Sequence, residues 1–106
     1  MNLNLFQELL EKKLSSYETF LIKATDYQNE KNKARAKAKR WDEKKIDRAV
    51  NNMWTTVVRN IFDKVKTFDG CPGVNTHNPI ETWTRFMEEK EIFEMLDTEL
   101  SDIEFE

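Results

Sequence analysis

Apolar side chains recur every three or four residues along the start of the chain: Leu3, Phe6, Leu10, Leu14, Tyr17, Leu21 and Ala24 fall on one stripe. That period marks an amphipathic helix, and Leu5, Leu9 and Phe20 widen the stripe enough to face a core. Asn4 with Gln7 reads as a capping pair, and "SSYE" at 15–18 reads as a second. The stripe runs unshifted through the second, which predicts one continuous helix over about 4–40. Large apolar residues vanish between Gln28 and Arg40, where Ala34, Ala38 and Trp41 keep only a thin stripe.

A second strong pattern follows: Ile46, Val50, Met53, Trp54, Val57, Ile61, Val65 and Phe68. It predicts a helix over about 42–68. One unbroken helix from Asn4 to Phe68 would measure about 97 Å, too long for a small domain, so the chain must reverse. Either the polar "QNEKN" at 28–32 or Trp41-Asp42, with Asp42 as N-cap, is the expected site. Both glycines and both prolines lie between Gly70 and Pro79, which makes 69–78 a turn-rich loop. "NPIE" then opens a third helix over 79–98, with Asn78 at N-cap, Pro79 at N1 and Glu81 at N3. Ile80, Trp83, Phe86, Met87 and Phe93 supply its buried side, and Trp54 and Trp83 are core residues on this pattern. The expected fold is all-α, a small helical bundle: a long helical hairpin plus a third helix, a single domain over 1–98, and an acidic tail over 99–106. The long stripes also suggest that a homodimer buries the surplus.

Composition adds boundaries to this picture. The chain has 106 residues with 35% charged and twelve aromatics, and its mean hydropathy is −0.77. That fits one polar domain with one modest core. Cys71 is the only cysteine, so no internal disulfide forms and a reducing, cytoplasmic setting is the simpler expectation. No apolar run approaches the length of a membrane span, and "MNLNLFQELLEKK" lacks the form of a signal peptide.

The net charge of −3 hides a segregation. Lys31 to Arg48 holds nine basic residues against three acidic ones, a net of +6; Glu88 to Glu106 holds nine acids against Lys90, a net of −8. Lys33, Arg35, Lys37, Lys39 and Arg40, read as helical, could track a phosphate backbone by displacing condensed counterions. Trp41 beside them could stack on a base. A solvated helix face, or one paired with the acidic block, is the simpler alternative. Glu91, Asp97 and Asp102 could imitate phosphates, while Ile103 and Phe105 between acids suit docking into a partner's groove.

Catalytic chemistry has little to stand on. Cys71 and His77 could meet in the loop, but zinc would lack its usual ligand set, Cys71-Pro72 is too short a signal for haem, and no phosphate-cradling glycine loop exists. No catalytic residue, metal or cofactor is therefore expected. Small, polar, helix-rich chains of this kind resemble in general character the accessory and counter-defence proteins of phages and mobile elements, without a motif that defines a family. The expectation is a non-enzymatic regulator or inhibitor of a larger, nucleic-acid-handling protein machine, acting by steric blockade or nucleic-acid mimicry. The alternative is a DNA- or RNA-binding protein that uses the basic segment 31–45.

Overall fold

The computed structural model describes residues 1–105; Glu106, counted with the acidic tail, lies outside the described residues. The fold is an all-α bundle of five helices: α1 (Leu3–Lys13), α2 (Ser16–Lys33), α3 (Glu43–Val65), α4 (Pro79–Glu89) and α5 (Ile92–Ser101), with a single 3-10 turn at Lys37–Lys39. Helix α2 packs on α3 and α5, α1 on α3 and α4, and α4 on α5. The radius of gyration is 16.1 Å and the long axis 51 Å. A compact domain of this length would have a radius of about 13 Å, so the molecule is elongated.

The core is aromatic. Phe6, Phe62 and Trp83 form one triangle with centroids 4.9–5.8 Å apart. Tyr17 and Phe20 lie on Trp54 at 4.8 and 5.1 Å. Trp54 and Trp83 are essentially sealed from solvent, as their place on the stripes requires. Each indole N–H finds an acceptor, Glu11 Oε2 at 3.2 Å for Trp54 and the Gly73 carbonyl at 3.0 Å for Trp83. Burial without such partners would be costly.

The expected first helix is corrected at both its middle and its end. Leu14 is extended (φ −91°, ψ 116°) and ends α1. The first turn of α2 then meets α5, where Asp97 Oδ1 accepts from the Ser16 N–H at 2.9 Å and from its hydroxyl at 2.6 Å. A helix N-terminus leaves such N–H groups orphaned, and Asp97 supplies a cap from across the bundle. The stripe continues unshifted because both helices face the same core after the chain has turned. Helix α2 also stops at Lys33, not 40, since 34–40 offers no apolar side chain larger than alanine to hold a further two turns against a neighbour. The reversal therefore falls between the two expected sites. At its far end Asp42 does cap α3, accepting from the Lys45 N–H at 2.9 Å. At the start of the chain the cap is Asn2, whose side chain accepts from Leu5, instead of the Asn4 pair.

The expected third helix is two helices. Glu91 adopts a left-handed φ of 57° between them, turning α5 back over α2 and α4. The last turns belong to the packed unit: Leu100 is buried, and Ile103 and Phe105 are half-buried against the core. Phe105 lies 5.6 Å from Phe20 and 5.5 Å from Tyr27. Lys23 donates to the Ser101 and Ile103 carbonyls at 2.6 and 3.2 Å, closing the α5 C-terminus. Among the described residues the large apolar side chains left exposed are Ile22, Val74 and Ile80. Among the described residues no helix is long and apolar enough to cross a membrane.

Candidate functional site

The basic segment forms the turn of the α2–α3 hairpin, and local bonds hold its shape. Asn32, in the last turn of α2, grips Trp41 from both sides: its Oδ1 accepts the Trp41 N–H at 2.8 Å and its Nδ2 donates to the Trp41 carbonyl at 3.0 Å. Arg35 donates to the same Asn32 oxygen at 3.1 Å and lays its guanidinium 3.8 Å from the Trp41 ring centroid. Arg40 reaches back to the Arg35 and Lys33 carbonyls, each at 3.3 Å. Those carbonyls lie at the negative end of α2, where cations are favoured. Trp41 and Ile46 occupy the N′ and N4 positions of α3, those of a hydrophobic staple, and Ile46 is buried apart from the main core.

This geometry replaces the expected charged lines along one helix. Lys33 ends α2, Arg35 and Trp41 stack on each other, and Lys37, Lys39 and Arg40 ride the exposed turn. The sequence-predicted basic residues are therefore brought together at one end of the molecule. Lys44, Lys45 and Arg48 on the first turns of α3 join them and are exposed. Of the nine cations from Lys31 to Arg48, only Lys33 has a carboxylate within ion-pair distance among the described residues, Glu30 at 3.1 Å. Lys31 sits 5.3 Å over the Tyr27 ring. The nearby acids are Asp26 and Glu30 on α2 and Asp42, Glu43 and Asp47 on α3, and Asp42 is spent on its cap.

Two shallow depressions flank the turn. One is bounded by Asp26, Asn29, Glu30, Asn32, Lys33 and Arg40. The other, about 230 Å³, is lined by Trp41, Lys45, Arg48, Ala49 and Asn52. Charge counting does not point to Asn32, Ala49 or Asn52. A signal for the last two exists in the α3 start at Asp42, which puts 45, 48, 49 and 52 on one face. Asn32 carries no such signal, because its role depends on the turn closing.

The acidic candidates are divided by the fold. Asp97 is committed to Ser16; burial pushes its carboxyl up, but the hydrogen bonds from Ser16 and Ser15 outweigh that and hold it below the ordinary carboxylate value. Ile103 and Phe105 pack on their own chain. Glu91 and Asp102 are exposed and have no ion pair among the described residues. Glu88 and Glu99 pair with Lys13 and Lys64, both at 3.4 Å. In the 69–78 loop Cys71 is half-buried against the core and His77 is exposed, with no hydrogen bond between them. Among the described residues no group of three or more His, Cys, Asp or Glu is arranged to hold a metal ion. Compared with protein-family models, curated protein sequences and solved structures, the chain matches none.

Proposed function

We propose that this chain is a non-enzymatic regulator that docks on a larger, nucleic-acid-handling assembly in the cytoplasm and blocks or modulates it, with the basic hairpin turn as its contact end. One observation carries the reading: a turn whose backbone is fixed by Asn32, Arg35 and Arg40 displays exposed cations, Lys37, Lys39, Lys44, Lys45 and Arg48, none of which has a carboxylate within ion-pair distance among the described residues. Free cations on a pre-shaped turn bind a polyanion without first giving up internal ion pairs, and phosphate is the polyanion such an assembly presents. Direct binding to free DNA or RNA is the limiting case, in which the nucleic acid alone is the target.

A second reading, docking through the acidic end, draws support from Glu91 and Asp102, which are exposed and have no ion pair among the described residues. It draws less from Asp97, Ile103 and Phe105, whose surfaces serve the fold. The test is fluorescence anisotropy of labelled oligonucleotides across a salt series. Wild-type affinity should fall steeply with salt, and replacing Lys33, Lys37, Lys39 and Lys44 with Gln should reduce the slope by about 0.7–0.9 per lost phosphate contact. A salt-independent or absent interaction, with a variant equal to wild type in capturing its target, moves the contact to the acidic end.

A further inference from the structure

The depression beside Trp41 has a chemistry more specific than charge. Its walls are an indole, two cations and a carboxamide: Trp41, Lys45, Arg48 and Asn52, with Ala49 between them. Arg35 covers Trp41 but is not part of those walls, so the ring has one side already stacked and still contributes surface to the depression. The indole is held by its own backbone, both of whose polar groups are tied to Asn32, and by the start of α3 two residues later. Lys45, Arg48, Ala49 and Asn52 follow at helical spacing on a rigid face. The small Ala49 side chain leaves room for a flat group to lie along the helix.

We propose that this slot seats one unstacked base of a single-stranded nucleic acid, stacked on Trp41, with an adjoining phosphate on Lys45 and Arg48. Asn52, which carries both a donor and an acceptor, reaches the base edge. The assignment rests on the reading of the basic turn as a phosphate-gripping surface, and it adds that the target is single-stranded there. A base inside a duplex has both faces stacked and cannot enter. Stacking on an aromatic side chain is tolerant of base identity, so the slot selects strandedness more than sequence.

The experiment compares three labelled probes at one salt concentration: a single strand, an abasic strand of the same length, and a duplex. Wild type should bind the single strand about ten-fold or more above the abasic strand. Trp41→Ala should erase that difference and leave the salt slope unchanged. Because Trp41→Ala could loosen the turn, Ala49→Leu serves as the second variant. It fills the slot from α3 without touching the Asn32–Trp41 bonds and should erase the same difference. Equal, salt-sensitive binding of single and abasic strands overturns the slot while leaving the phosphate-gripping turn intact. Tighter binding of the duplex does the same. No binding of any probe at low salt, or equally tight binding to polyglutamate, removes the nucleic-acid reading of the turn together with the slot.

Discussion

The Asp97 clamp is the contact whose removal has the most direct readout. Asp97→Ala takes away the acceptor shared by the Ser16 N–H and hydroxyl, and Ser16 is only 2% exposed. Losing a helix N-cap costs about 0.5–2 kcal/mol, and stranding a buried donor costs about 1–3 kcal/mol. The two overlap, because the same N–H is counted in each, so the expected loss is about 2 kcal/mol. For a domain of this size that lowers Tm by roughly 10 °C. Asp97→Asn keeps one acceptor without the charge and should lose about half as much. Urea unfolding at neutral pH followed by circular dichroism measures both. The carboxyl is held below its ordinary value in the folded state, so its contribution is complete above the unfolded-state value of about 4 and is lost as pH falls through the lowered one. The gap between wild type and Asp97→Asn should therefore be constant near neutrality and close below about pH 4. A loss under about 0.5 kcal/mol for Asp97→Ala, the size of an ordinary surface change, would refute the clamp as a structural device.

Other expectations follow from single contacts. Glu91→Gly should stabilise the protein by about 0.5–1 kcal/mol in the same assay, because Glu91 holds a left-handed φ of 57° just past the end of α4, where glycine is favoured. Trp83→Ala should cost about 3–5 kcal/mol and leave little folded protein by circular dichroism. Phe105→Ala should lower stability by about 1–2 kcal/mol through its contacts with Phe20 and Tyr27; an unchanged midpoint would free the tail for docking. Asn32→Ala should leave the unfolding free energy within about 1 kcal/mol of wild type, while speeding amide exchange at Trp41.

What could be read from the sequence was what local chemistry decides. The all-α class follows from periodicity and the confinement of glycine and proline to 70–79, and Asp42 and Pro79 mark helix starts because a cap and a fixed φ act within one turn. The break at Leu14 is a different case: "SSYE" carried the signal, but the partner that makes it a break, Asp97, lies 81 residues away. Glu91 is likewise a non-glycine residue in a glycine conformation, chosen by the packing of α5 on α2 and not by its own preference. The charge of the 31–48 segment was legible, yet its shape was not. Lysine and alanine favour helix in isolation, and only the absence of a neighbour to pack against, together with the Asn32–Trp41 bonds, unwinds it. The packing of the tail was not legible either, since alternating acids and apolar residues look the same whether Phe105 faces a partner or Phe20.

Because α2 is capped by Asp97, covered by α5, and in turn supplies Lys23 to the α5 C-terminus, the first third and the last fifth of the described chain complete one another. Such sequence-distant contacts carry the loop-closure cost that slows folding, even in a helical protein. During synthesis the α2–α3 hairpin emerges before α5; Trp54 can then lie on Phe20, but the side of α2 that α5 covers stays open. A stalled or prematurely ended chain would expose that apolar face and become a substrate for aggregation or proteolysis. Closing the core over α2 therefore waits for α5 to be made.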